Sequence, residues 1–143
     1  CGITQAMVSA GGDSRIIGKR EGRDWVIGIK NPRDPAGIAL RLPLSESAIS
    51  TSGDYERFFI EDGNRVHHII NPTTGRSATA SWSATVVGPD ALTTDALSTT
   101  IFILGAIDGI ALIETLEGID AIIIDSEGKV HYSSGFEAPE TGG

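Results

Sequence analysis

Hydrophobic periodicity changes character once along this chain. Up to about residue 88 the apolar residues come in short runs broken by glycine and polar turns. After that, Ala96, Leu97, Thr100, Ile101 and Leu104 recur at the three- and four-residue spacing of a helix. Gly105 sits where a helix C-cap belongs, and a second helical stretch over 107–116 ends near Gly118. Before the change, strands are predicted at 6–10, 15–18, 25–29, 38–42, 48–51, 55–61, 66–70 and 81–87. Gly11-Gly12-Asp13, Gly53-Asp54 and Asp62-Gly63-Asn64 are among the breaks between them. Residues 119–124 and 129–133 are predicted to form a closing hairpin. No segment repeats. Many strands, then helices, then a hairpin make an antiparallel sheet with a few segregated helices, the α+β class. Trp25 and Trp82 fall in strand patterns and are expected in the core.

Composition narrows the function classes. At 143 residues the chain is long enough to bury one core. Its 11 Lys and Arg against 19 Asp and Glu leave a formal charge of -8, the wrong sign for a nucleic-acid partner. No apolar run approaches the ~18 residues of a membrane-spanning helix. A single cysteine, Cys1, cannot form an internal disulfide. A cysteine in first position also fits a lipid anchor, but no polar spacer follows it, and a cut inside a longer protein is the expectation. The first residues show no signal-peptide pattern. Residues 137–143 are expected to be a flexible tail.

Four segments could carry chemistry. In Ser9-Ala10-Gly11-Gly12-Asp13, paired glycines after a strand can turn N–H groups toward an anion, or simply make a tight turn. Thr51-Ser52-Gly53-Asp54-Tyr55 offers hydroxyl and N–H donors at a strand end, or again only a turn. His67 and His68 point to opposite faces if they lie on a strand, so at most one serves a given site. Asn71-Pro72-Thr73-Thr74-Gly75 then supplies a tight loop. On a helix, Asp95 and Thr99 stand one turn apart on the same face. Their oxygens suit Mg²⁺, which is usually completed by waters and substrate phosphates; the alternative is an ordinary helix start with Thr93 or Thr94 as cap. His67 and His131 read as structural or solvated.

Taken in order, Val8-Ser9-Ala10-Gly11-Gly12-Asp13 with Gly18, Thr51-Ser52-Gly53-Asp54-Tyr55-Glu56-Arg57-Phe58-Phe59, His68-Ile69-Ile70-Asn71-Pro72 with Thr74-Gly75, and Thr94-Asp95-Ala96-Leu97-Ser98-Thr99 with Gly105 resemble the carboxy-terminal half of the ApbE family, the FAD:protein FMN transferases. The resemblance runs from about Gly2 to Gly135. Asn71 stands where many members have Asp.

The resemblance implies an ApbE-like, T-fold-like architecture that is incomplete here, with residues 1–136 as the carboxy-terminal part of the domain. It implies FAD as substrate and Mg²⁺ at its diphosphate. An acceptor flavoprotein's Thr or Ser hydroxyl attacks the FMN-side phosphorus, and AMP leaves. It assigns Asp95 and Thr99 to the metal and His68 to the role of base. Gly11, Gly12, Asp13, Ser52, Gly53, His68 and Thr74 fall to the flavin nucleotide. The amino-terminal half, absent from these residues, becomes the expected partner over an exposed sheet edge, and the cell envelope outside the cytoplasm the expected location. Two other readings share the same residues: hydrolysis of FAD to FMN and AMP, and a non-catalytic flavin-binding or interaction fragment.

Overall fold

The computed structural model describes residues 2–136; the expectations for Cys1 and for the tail at 137–143 lie outside the described residues. In chain order the strands begin with β1 (Ala6–Ala10), β2 (Asp13–Ile17), β3 (Trp25–Asn31), β4 (Asp34–Leu44) and β5 (Ala48–Gly53). There follow β6 (Phe58–Glu61), β7 (Asn64–His67), β8 (Ile70–Asn71), β9 (Arg76–Ser77) and β10 (Ser81–Gly88). Helices α1 (Ala91–Leu104) and α2 (Ala106–Ile113) precede the last two strands, β11 (Asp120–Asp125) and β12 (Val130–Tyr132). Six strands form one sheet in the order β1-β2-β5-β10-β11-β12, antiparallel throughout. The pairs β3–β4, β6–β7 and β8–β9 are separate hairpins. This is the α+β fold expected from the sequence. No helix among the described residues is long and apolar enough to cross a membrane.

Register decides which side chains meet the helices. Ser50 lies opposite Val86 and Ser52 opposite Ala84, while Val86 and Ala84 lie opposite Ala121 and Ile123. Alternation puts these six on one face. Both helices pack on that face. Ile101, Phe102 and Ile113 close over Ala84, Val86, Ala121 and Ile123 to form the core, all of them at most 1% exposed. A row this dry is the main source of hydrophobic stabilisation in the domain. At the far edge, β1 has no outer neighbour among the described residues, and Met7 and Val8 are 39% and 66% exposed.

The β1–β2 turn shows why the paired glycines are needed. Ala10 pairs with Asp13 across a two-residue loop, in which Gly11 and Gly12 have φ of 64° and 108°. Positive φ at both loop positions matches the right-handed twist of the strands and strains any residue with a Cβ.

Several boundaries depart from the sequence expectation. The N-cap of α1 is Asp90, not Thr93 or Thr94; its Oδ1 accepts the Thr93 N–H at 2.9 Å. Hydrogen bonds from Thr93 hold the Asp90 carboxyl below its ordinary range. The helix therefore starts well before its apolar stripe. The strand predicted over 55–61 starts only at Phe58, because residues 54–57 turn. The strand predicted over 66–70 breaks after His67. Trp25 and Trp82 are half-buried rather than core. Arg33 lies over the Trp82 ring at 4.0 Å and Arg20 near Trp25 at 5.8 Å, so each indole meets a cation as well as apolar neighbours.

Candidate functional site

A cavity of about 470 Å³ opens where four separate segments converge. The β1–β2 turn contributes Gly11, Gly12 and Asp13. The end of β5 contributes Thr51, Ser52 and Gly53, and the turn after it Glu56 and Arg57. His68 comes from the bend after β7, and Asp95 and Thr99 from the middle of α1. A second cavity of the same volume adjoins it across Gly12, Thr51 and Glu56, but is lined largely by Met7, Ile49 and residues of β3. Size does not separate the two; the cluster of carboxylates and hydroxyls beside an imidazole does.

The two adjacent histidines go to opposite environments. His67 is buried, with Nε2 donating to the Ala78 carbonyl at 2.8 Å and its ring edge-on to Phe102 at 5.6 Å. Its Nδ1 accepts the Ile69 N–H, so both ring nitrogens are occupied by the backbone. His68 is exposed on the cavity wall. An imidazole placed there can exchange protons with a bound hydroxyl; His67 cannot.

Helix α1 delivers Asp95 and Thr99 because four residues make about one turn. Asp95 is exposed and Thr99 half-buried. Asp13, Glu56 and Asp95 line the cavity; Glu56 is paired with Lys30 at 3.4 Å, which leaves two carboxylates against one guanidinium, Arg57. Neither Asp95 nor Arg57 forms an ion pair among the described residues. A diphosphate entering so acidic a wall needs a cation beside it. Asp95 and Thr99 offer two hard oxygens that fit Mg²⁺, with the remaining positions left to phosphate oxygens and water. No group of three or more His, Cys, Asp or Glu side chains among the described residues is arranged to hold a metal unaided.

Of the residues singled out from the sequence, Gly11, Gly12, Asp13, Ser52, Gly53, His68, Asp95 and Thr99 meet in this cavity. Thr74 does not line it. It sits exposed in the turn between β8 and β9, where its N–H bonds the Asn71 carbonyl at 3.2 Å and its Oγ1 accepts the Arg76 N–H. Asn71 caps the same turn by accepting the Thr73 N–H at 2.9 Å, so the Asn-Pro-Thr-Thr-Gly segment shapes its own loop.

Glu56 and Arg57 also line the cavity, which nothing in the residue pattern of their segment signals. Their placement depends on Asp54, a 7%-exposed carboxylate at the start of the 54–57 turn. Arg33 grips it with two bonds of 2.8 and 2.7 Å, and Arg65 adds a third at 3.0 Å. Arg65 in turn stacks on Phe58 at 4.1 Å. The buried charge thus ties the β3–β4 and β6–β7 hairpins to the end of β5. Beside it, a Cβ on Gly53 would run into the Tyr55 ring. Burial, followed by the Glu56 and Asp54 charges, pushes the Tyr55 phenol up to about 12.

Known proteins match the chain in sequence and in fold. The model of the ApbE family matches residues 1–123. A FAD:protein FMN transferase of Treponema pallidum is 36% identical, with 94% of this chain aligned to 40% of that protein. One from Klebsiella pneumoniae is 34% identical over 92% of the chain and 41% of its own length. The crystal structure of the ApbE protein from Thermotoga maritima superposes with a TM-score of 0.84 at 41% identity, covering 92% of this chain and 43% of that one. The flavin transferase ApbE from Vibrio cholerae gives 0.79 at 35% identity, over 94% and 44%. The chain therefore spans about two fifths of the length of these relatives.

Proposed function

This chain belongs to the ApbE family, and we propose that it forms the carboxy-terminal part of an enzyme that transfers the FMN moiety of FAD to an acceptor protein. The reading is carried by one observation: His68, Asp95, Thr99 and the Gly11-Gly12 turn, far apart in sequence, line a single cavity. In this reading a Thr or Ser hydroxyl of an acceptor flavoprotein attacks the FMN-side phosphorus of FAD. A new P–O bond forms to the acceptor, the bridging P–O bond breaks, and AMP departs with the electron pair. His68 takes the hydroxyl proton as the new bond forms. Gly11, Gly12 and Gly53 let the backbone come close to phosphate oxygens, and Arg57 adds the one cationic side chain on the wall. Asp95 and Thr99 are the residues that would hold Mg²⁺. When bound, it would neutralise diphosphate charge and support departure of AMP.

The unpaired edge of β1, where Met7 and Val8 are exposed, supports a covering partner there, which we assign to the amino-terminal segment present in the longer relatives. A place in the cell envelope, outside the cytoplasm, is proposed on family resemblance alone. Because His68 and Asp95 are both open to solvent, water is the competing nucleophile, and hydrolysis of FAD to FMN and AMP is the second reading.

Incubation with FAD, Mg²⁺ and an acceptor domain, followed by intact mass and nucleotide analysis, separates these readings. Transfer requires an acceptor heavier by one FMN and an equal amount of AMP. AMP and free FMN with no acceptor adduct would favour hydrolysis. No product, with or without the amino-terminal segment, would refute both.

A further inference from the structure

We propose that Ser52 and Ser98 are positioning residues that aim the lone pairs of Thr99 Oγ1 into the cavity by fixing where its proton goes. This rests on the reading of Thr99 as a cation ligand and adds two residues to it. Hydroxyls on a helix ordinarily donate to a carbonyl one turn back. Ser98 does so, to the Asp95 carbonyl at 2.9 Å, and Thr100 does so to Ala96 at 2.8 Å. Thr99 instead meets Ser52 Oγ, on the facing strand, at 3.0 Å, and Ser52 Oγ also meets Ser98 Oγ at 2.9 Å.

Each hydroxyl has one proton, and a carbonyl can only accept. Ser98 therefore spends its proton on the Asp95 carbonyl. Ser52 must then donate to Ser98, and Thr99 must donate to Ser52. Any other assignment leaves two oxygens in contact with no proton between them. The proton of Thr99 is thereby drawn toward the sheet, and its oxygen faces the cavity as an acceptor only, the state a hard cation requires. Ser98 is 1% exposed, so water cannot replace its part in the chain.

The molecule contains its own control. One turn earlier, Ser50 Oγ meets Thr94 Oγ1 at 2.8 Å and Thr94 donates to the Ala91 carbonyl at 3.2 Å. Two residues of strand advance about as far as four residues of helix, so the same stitch repeats. Both members of this pair are fully buried and neither lines the cavity. Ser50→Ala thus removes a comparable hydroxyl contact without touching Thr99.

The test is an electron paramagnetic resonance titration of the protein, with FAD present to supply the phosphate ligands, by Mn²⁺, an oxygen-seeking stand-in for Mg²⁺, with thermal unfolding measured on each variant. Ser98→Ala and Ser52→Ala should weaken Mn²⁺ binding about 10–100-fold, while Ser50→Ala stays within about twofold of the parent. Ser52→Thr, which keeps the hydroxyl, should restore binding. If Ser98→Ala does not fold, the half-buried Ser52 position carries the test. Mn²⁺ affinities for Ser52→Ala and Ser98→Ala matching that of Ser50→Ala would overturn the positioning role alone. A parent protein that binds no Mn²⁺ with FAD present would overturn the cation reading and this proposal with it.

Discussion

His67 and His68 are neighbours in sequence and belong to different parts of the molecule. Behind the sheet bend, His67 joins Phe102, Ile69 and Ala78 in a buried region where both of its ring nitrogens have backbone partners. In front of it, His68 shares an open wall with Asp95 and Thr99. Helix α1 spans both regions: Asp95 and Thr99 come from its middle, and the buried Ile101 and Phe102 from its last turn. The lesson is that one element can anchor itself with apolar burial at one end and so leave its middle free to carry groups that contribute little to stability.

That division can be broken by substitution. His68→Ala should lower flavin transfer about 10²–10⁴-fold, the usual contribution of a general base, while the unfolding midpoint stays at the parent value. A matching loss of stability would show that the two regions are not separable. Phe102→Ala should do the reverse, costing about 3–5 kcal/mol in denaturant unfolding through the cavity it leaves. His67→Ala should cost about 1–3 kcal/mol by removing the partner of the buried Ala78 carbonyl. Its transfer rate per folded molecule should be unchanged, in contrast to His68→Ala.

A smaller effect sharpens the boundary beside the cavity. Tyr55 has its phenol raised from 10.0 to about 12, so the fold favours the neutral form. The unfolded chain ionises first: the stability contribution is complete below about pH 10, declines as pH rises, and levels off above about 12. Alkaline unfolding followed by circular dichroism should show this decline in the parent and not in Tyr55→Phe.

Much of this was readable from local pattern. The helical period at Ala96, Leu97, Ile101 and Leu104 located α1, and the paired glycines located a two-residue hairpin whose positive φ values they alone adopt without strain. The helix start was not readable from that period, since its first turn buries little and its cap, Asp90, precedes the apolar stripe. The 54–57 turn was harder still. Tyr55-Glu56-Arg57-Phe58-Phe59 has the look of a continuing strand, and what bends it is a carboxylate gripped by Arg33 and Arg65, 21 and 11 residues away. Glu56 and Arg57 reach the cavity only because of that bend. Thr74 illustrates the opposite limit: its segment was legible as a turn, but the hydrogen bonds that make the turn hold it outside the cavity lining.

The central claim is that the cavity accepts a diphosphate only together with a cation held by Asp95 and Thr99. Linkage makes this directly measurable, because a metal and a ligand that share a site must raise each other's affinity by the same factor. FAD binding should be titrated by flavin fluorescence with and without Mg²⁺, in the parent protein and in Asp95→Asn. The account predicts that Mg²⁺ tightens FAD binding in the parent and has little effect in Asp95→Asn. Equal FAD affinity in the parent with and without Mg²⁺ would contradict it.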